Sequence, residues 1–513
     1  MVTGGFMRAA GAVGCAVLTL GLFNVAPASA ASSAITAVGS NAAGQLRSDS
    51  TPTGQVAKPT LSGVKAIAAG FEDSMALLDN GTVAAWGANI YGQLGNGTTN
   101  DTNLPVLVCA ATVTSCPPGS PASSYLHGVT AITAGAFFNL ALVGGTLWDW
   151  GRAGNGSQGS LGVGTTRGNT CNGECQTVPV EVCAVGVTSC PAGSPPSSFL
   201  QGVTAFAAGT YFTLAVLNNN TVVSWGSNTS GQLGNAGVSV STLEPVAVCA
   251  VKVKSCPPGS KASLFLSGVT EVSGGDSFSM ALKGHTALTW GENRYGQLGD
   301  GTSAGPDRCG PFACSKAPIA VSIKMPVSAV SAANYHSLAI VDGRSGTPVG
   351  VEAWGSNTEG QVGLKPTRGN GCHGGCQTTP VAVHSSWTGL TAISGGRSFS
   401  LALVAGRVLG WGDNHEPGRL GNGTHISTNA PVAVCAVGIR SCRPASPSRA
   451  FLQGVSAISA GGTVSLALVK GTVLVWGSNY RGSLGTGTSA PGGSGVPVRV
   501  SGLAGTSAKP NKL

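Results

Sequence analysis

The sequence predicts an all-β protein: a seven-bladed β-propeller of four-stranded antiparallel blades, closed by pairing of its N- and C-terminal segments. Three observations predict it. A Trp-Gly pair recurs at Trp86, Trp150, Trp225, Trp290, Trp354, Trp411 and Trp476, at successive gaps of 64, 75, 65, 64, 57 and 65 residues. One repeating architecture gives such a period; separate domains do not. Each pair ends an alternating run such as TVVSW (Thr221 to Trp225) or TVLVW (Thr472 to Trp476), which puts every second side chain on one face, as a strand does. Of 513 residues only 9% are charged, 80 are Gly and 28 are Pro, and no stretch sets apolar residues at helical spacing against a charged face.

Taken in order, the chain begins with Arg8, an apolar run from Ala9 to Phe23 and the small-residue ending Ala28-Ser29-Ala30. These are the three regions of a secretory signal, with cleavage expected after Ala30. The apolar run is short of the roughly 20 residues that span a bilayer, so no transmembrane span is expected in the mature chain. The pair Gly14-Cys15 leaves lipid attachment open. Residues 1–30 are thus read as leader, 31–503 as the propeller and 504–513 as a polar tail.

Ala34 to Leu46 is an orphan copy of the repeat, with Val38 where Trp should stand. Seven units follow, each read as a Pro-Val strand, a strand running into small residues, a short apolar strand and the Trp-Gly strand. The second unit shows all four: PVLV (Pro105 to Val108), VTAITAG (Val129 to Gly135), NLALV (Asn139 to Val143) and TLWDWG (Thr146 to Gly151). Four short strands cannot bury both faces, so the units must stack, and radial closure removes the raw ends that an open solenoid would leave. One Pro-Val strand, VPVRV (Val496 to Val500), is left over at the end, and the first unit has only KPTL (Lys58 to Leu61) in that slot. The expectation is that VPVRV supplies the missing strand and seals the ring.

Beyond Cys15 the cysteines form seven close pairs: Cys109/Cys116, Cys171/Cys175, Cys183/Cys190, Cys249/Cys256, Cys309/Cys314, Cys372/Cys376 and Cys435/Cys442. An even count in an exported chain reads as disulfides, and the pairs lack the two-residue spacing common in zinc knuckles. Cys171, Cys175, Cys183 and Cys190 lie close enough to exchange partners. Pro-rich loops follow four of the pairs, for example PPGSPASSYLHG (Pro117 to Gly128), and their terminal aromatic and Leu are expected to tuck onto the blade. Closing an eight-residue loop this way should stabilise by about 2.5 kcal/mol on the chain-entropy model.

Several function classes lose support at this level. The formal charge of +9 is scattered singly, whereas nucleic-acid binding usually needs a concentrated basic stripe. The turns GNGT (Gly95 to Thr98 and Gly421 to Thr424) lack the Lys-Ser/Thr ending and helix start of a phosphate loop. The seven histidines occupy different repeat slots and share no metal spacing; His336 stands where most units have Phe, and His373 falls in a cysteine-closed loop. No catalytic residue, metal ligand or cofactor motif is identified. The seven tryptophans are read as blade-packing residues.

The phrases WGANIYGQLGNGT (Trp86 to Thr98), WGSNTSGQLGNAG (Trp225 to Gly237) and WGENRYGQLGDGT (Trp290 to Thr302), each preceded by a segment like ANYHSLAI, resemble regulator of chromosome condensation repeats. The resemblance runs from about Ala34 to Val500 and implies a seven-bladed propeller. Departures are local: Trp150 is followed by RAGNGSQGSLG and Trp411 by DNHEPGRLG, and the paired cysteines are additions. In the family's namesake the resemblance implies guanine-nucleotide exchange and nucleosome binding, partners that an exported chain would not meet. A plant member senses ultraviolet light through a Gly-Trp-Arg-His-Thr phrase that this sequence lacks. A secreted bacterial propeller of similar shape inhibits β-lactamases by docking one face. The function expected is a secreted or cell-surface binding or scaffold module, monomeric, recognising a protein or glycan. An enzyme inhibitor, and an exported enzyme with a site built from several blades, are the alternatives.

The candidate site comes from comparing the units with one another. Directly after the small-residue strand each has a two-residue turn that varies while its flanks repeat: Phe71-Glu72, Ala136-Phe137, Thr210-Tyr211, Asp276-Ser277, Asn334-Tyr335, Arg397-Ser398 and Gly462-Thr463. In a closed ring these turns emerge together near the axis. Phe71, Glu72, Phe137, Tyr211, Asp276, Tyr335 and Arg397 are therefore expected to form a recognition rosette, because aromatics give contact area at low entropy cost and Arg adds a directed fork. An unconstrained surface would also show such variation.

Overall fold

The computed structural model describes residues 60–503, apart from 154–159, 165–173, 237–240, 258, 344–345, 367–371, 373–374, 385, 416 and 489–491. The leader, the orphan copy at 34–46 and the tail lie outside the described residues. Seven antiparallel sheets follow one another along the chain, six of four strands and one of five. Blade 1 comprises Val64–Ala69, Asp73–Leu78, Val83–Gly87 and Thr102–Leu107, hydrogen-bonded in that order. The same order repeats through blade 7, whose strands are Val455–Ala460, Val464–Val469, Thr472–Ser478 and Gly493–Arg499. The fifth strand, Asp307–Cys309, forms a small hairpin with Phe312–Ala320 at the edge of blade 4.

In every blade the small-residue strand is innermost. All seven inner strands line an axial cavity of about 230 Å³; Ala, Gly, Ser and Thr allow their close approach. The Pro-Val strand is outermost, and this corrects the unit boundary drawn from the sequence by one strand. The Gly-rich turn after each Trp folds the following Pro-Val strand back onto the Trp-Gly strand, as in Ala85 opposite Val106 and Val475 opposite Val498. A local hairpin wins over a longer-range pairing because less chain is ordered to make it. VPVRV accordingly completes blade 7 and is not lent to blade 1.

The apolar core lies between blades, not within them. Seven buried clusters each join two neighbouring sheets; Phe212 and Leu214 of blade 3, for example, pack with Val272, Ala281 and Trp290 of blade 4. All seven Trp-Gly tryptophans are fully buried. Each indole N–H donates to a carbonyl of the preceding blade: Trp86 to Ser483, Trp150 to Gln93, Trp225 to Ser160, Trp290 to Gln232, Trp354 to Gln297, Trp411 to Gln361 and Trp476 to Arg419, at 2.7–3.1 Å. The repeated phrase is the other half of this staple. Asn89 Oδ1 accepts from Leu94 N–H, its amide caps the carbonyls of Thr98 and Asn100, and Gln93 Oε1 accepts from Tyr91 N–H. The Gly that closes the phrase lies under the next ring: a Cβ on Gly234 would sit 2.6 Å from Trp290 Nε1.

The ring closes by repeating its ordinary interface. Val64 N–H bonds Gly471 C=O at 3.2 Å across the seam, as Val129 bonds Gly81 and Val203 bonds Gly145 elsewhere. The termini add a short antiparallel pairing, with a bridge between Thr60 and Ser501 and a bond from Leu61 N–H to Val500 C=O. Leu61 and Val500 are buried together in the seam cluster. Deleting everything after Gly495 removes the outer strand of blade 7 and this anchor, so the melting temperature should fall and blade 1 should become protease-sensitive. An unchanged melt would show that the seam holds without them.

Six disulfides lie wholly within the described residues: Cys109–Cys116, Cys183–Cys190, Cys249–Cys256, Cys309–Cys314, Cys372–Cys376 and Cys435–Cys442. Cys175 is disulfide-bonded too, and Cys171 lies outside the described residues. The Pro-rich loops pack as the sequence suggests. Cys109, Cys183, Cys249 and Cys435 bridge to Tyr125, Phe199, Phe265 and Phe451, and Leu126, Leu200, Leu266 and Leu452 are buried.

Candidate recognition face

The variable turns are tight hairpin ends. The residue before each turn donates its N–H to the carbonyl of the residue after it, as Gly70 does to Asp73, Gly135 to Phe138, Ala333 to His336 and Gly396 to Phe399, at 2.8–2.9 Å. The next slot after Trp-Gly then locks the turn: Ala88 N–H bonds Glu72 C=O, Arg152 bonds Phe137, Ser227 bonds Tyr211 and Glu292 bonds Ser277. The intervening glycine must leave space. At Gly87, with φ +106°, a Cβ would lie 2.5 Å from Glu72 O. This arrangement puts a second variable residue beside each turn, and the axial cavity opens among the turns, with Phe71, Ala136, Thr210 and Asn334 in its lining.

Four of the seven predicted residues form one contiguous cluster. Phe71 and Phe137 lie with ring centroids 6.1 Å apart, and Phe137 stacks on Tyr211 at 5.9 Å. Phe71 crosses the small turn of blade 7, where a Cβ on Gly462 would meet its ring at 2.4 Å. Beyond it the exposed Arg397 guanidinium sits 5.6 Å from the Phe71 ring. Tyr91 meets Phe137 edge-on at 5.4 Å. In the middle stands Arg152, its guanidinium 4.9, 5.8 and 5.3 Å from the rings of Tyr91, Phe137 and Tyr211. Sequence comparison of the turns missed Arg152 and Tyr91, although the slot after Trp-Gly varies just as the turns do: Ala88, Arg152, Ser227, Glu292, Ser356, Asp413, Ser478.

The other predicted residues lie elsewhere on the face. Asp276 accepts from Thr210 Oγ1 at 2.9 Å, which ties it to the Tyr211 turn. Tyr335 packs on Tyr295 at 5.2 Å; burial, with Asp276 and Glu292 nearby, pushes its phenol up to about 12. Arg294 lies between Tyr295 and Phe312 and pairs with Glu292 at 3.0 Å. Glu72 faces the seam, 3.7 Å from Arg481, which also bonds Asp101 at 2.9 Å. Burial raises the Glu72 carboxyl against that attraction.

His336 fills a packing position, fully buried, with Nε2 2.9 Å from Ser400 Oγ; burial lowers its pKa to about 3 and keeps the ring neutral. His373 lies outside the described residues. Among the described residues one group has ligand atoms close enough for a metal, Glu359, Asp413 and His415, but Asp413 is already held by Arg419 and by His415 at 2.8 Å. We assign no ion to it.

Two family models match the chain. The regulator of chromosome condensation (RCC1) repeat matches residues 80–142, 219–282 and 285–340, and a second model of the same repeat matches 64–93 and 203–232. The chain carries RCC1 repeats. Curated relatives include human (Homo sapiens) "Probable E3 ubiquitin-protein ligase HERC6", 31% identical over 322 residues, 61% of this chain and 26% of that protein. The Arabidopsis thaliana "Ultraviolet-B receptor UVR8" is 27% identical over 59% of this chain and 55% of its own length. The Bos taurus "Secretion-regulating guanine nucleotide exchange factor" is 27% identical over 79% of this chain and 76% of its own. This chain therefore spans about a quarter of the human ligase and about half of the plant receptor. Among solved structures, human WBSCR16 superposes with a TM-score of 0.57 at 20% identity, covering 82% of this chain and 94% of that one. Saccharomyces cerevisiae Prp20p gives 0.56 at 18% identity, covering 79% and 82%. These likenesses show the RCC1-type propeller fold.

Proposed function

We propose that this chain is an exported binding module that recognises a protein or cell-surface glycan through the face where the seven turns meet. The observation that supports it most is the half-buried cluster of Tyr91, Phe137 and Tyr211 around Arg152, with Phe71 beside Phe137. Blade packing needs none of these side chains there, and aromatic and Arg residues are the types that dominate binding energy at interfaces. Disulfides in repeat after repeat suit an oxidising compartment outside the cytosol. The relatives carry different activities on one type of propeller, which favours reading the ring as a platform whose face sets the partner. Docking on an enzyme as its inhibitor is this same reading with a protein partner.

The test is capture from the surface fraction of the source cells. Replacing Phe137, Tyr211, Tyr335 and Arg397 together by Ala should abolish capture while leaving the melt within a few degrees. If capture survives, the binding site lies on the Pro-rich disulfide loops instead.

A further inference from the structure

The arginines of this face divide into two sets. Arg294, Arg419 and Arg481 each pair with a carboxylate, through Glu292, Asp413, and Glu72 with Asp101. Arg152 and Arg397 have no carboxylate partner among the described residues; their neighbours are aromatic rings. Arg397 lies at the Phe71 end of one continuous run of rings, Phe71, Phe137 and Tyr211, and Arg152 lies against Phe137, Tyr211 and the adjoining Tyr91, so that Phe71 and Phe137 stand between the two guanidinium groups. Rings cover the flat side of a guanidinium, but its N–H donors lie in the plane at its edge and stay free to grip a carboxylate with two parallel bonds. Two uncompensated charges set into an apolar arc call for an anion that also carries apolar, ring-sized faces.

We infer that this arc binds an acidic glycan, a chain of pyranose rings bearing carboxylates, with its uronate groups on Arg152 and Arg397 and its sugar faces on the rings between them. This rests on the binding reading above and narrows its partner. The geometry favours sugar over an acidic peptide. Peptides are commonly held by adding a strand to a sheet edge, by side-chain pockets or by a helix groove. Here the free edges of the blades are the inner strand, which lines the cavity, and the outer strand, at the perimeter. Tilted, half-exposed rings around the cavity mouth suit stacking on the C–H faces of a flat ligand.

The experiment is calorimetric titration of the whole mature protein with a galacturonate hexasaccharide and with its methyl ester, which keeps the rings and removes the charge. The acid should bind and weaken with added salt, and the ester should bind at least about tenfold more weakly, the scale of a lost charge-assisted pair. Arg397→Ala, at an exposed position, should lose about tenfold with an unchanged melt. Arg152→Ala should lose at least as much, and Arg152→Lys should recover only part because it lacks the fork. Equal binding of acid and ester, or full affinity in both Ala variants, would overturn the inference. So would a poly-glutamate peptide that binds as tightly as the sugar, and so would no binding of the hexasaccharide at all. In those cases the surface-capture test with the quadruple variant still decides, separately, whether the face is a binding face.

Discussion

Trp290→Ala should lower the stability of the ring by about 4 kcal/mol, the scale of removing a buried aromatic from a close-packed core, whereas Trp290→Phe should cost only about 1–2 kcal/mol. The indole is fully buried between blades 3 and 4 and presses on Gly234. Its N–H donates to Gln232 C=O at 2.8 Å, and that carbonyl also accepts from Ser279 Oγ at 2.7 Å. Phe keeps most of the contact and leaves the carbonyl one partner, so the full penalty of an orphaned buried acceptor is not incurred. Ala opens a cavity against both sheets. Guanidinium unfolding followed by circular dichroism measures the order. Equal losses for Ala and Phe would mean that the hydrogen bond, not the packing, holds the interface.

That staple explains why so much of the fold was legible. The bond from the Trp N–H to a carbonyl of the preceding blade recurs seven times, with Gln supplying that carbonyl in four of them, and periodicity exposes a device used this often. The strand offset was less legible, because a linear repeat can be cut anywhere and only the hairpin after Trp-Gly says which Pro-Val strand belongs to which Trp. The face was legible in part. Phe71, Phe137, Tyr211 and Arg397 show as breaks in a repeating turn, but Arg152 comes from a different strand end, and the pairing of Phe138 with Gly151, with the bond from Arg152 N–H to Phe137 C=O, places the two together. Glu72 shows the limit of reading by column. It occupies the rosette slot, yet the blade it neighbours offers Arg481, and it serves the seam instead.

Replacing Asp149 by Ser should raise stability by about 2–3 kcal/mol at pH 8 and make little difference near pH 4. Asp149 is fully buried on the Trp strand of blade 2, opposite Leu140 and Val180. Ser224 and Thr289 hold the same register in blades 3 and 4, and their hydroxyls donate to the carbonyls of Leu233 and Leu298 at 2.7 Å. Asp149 brings a carboxyl to a donor's position, and among the described residues neither of its oxygens has a partner in hydrogen-bonding geometry. Burial raises its pKa well above the ordinary carboxylate range, opposed only in part by the Trp150 backbone N–H. A folded-state pKa above the unfolded value means that the folded chain holds a proton the unfolded chain releases. The stabilisation is therefore complete below about pH 4, the unfolded value, and is lost as pH rises towards the folded one. Asp73 and Glu271, raised by burial to about 7 and about 8, act in the same direction over the windows above pH 4 that end at those values. The wild-type melt should thus fall from mildly acid to mildly alkaline pH, and Asp149→Ser should flatten that slope by supplying the hydroxyl that blades 3 and 4 already use. Ser224→Asp is the converse: it should steepen the slope and lower the melt at pH 8. Melting curves from pH 4 to 8 on the three proteins decide it. Parallel curves for wild type and Asp149→Ser would show that the buried carboxyl has found a partner that neutralises its effect.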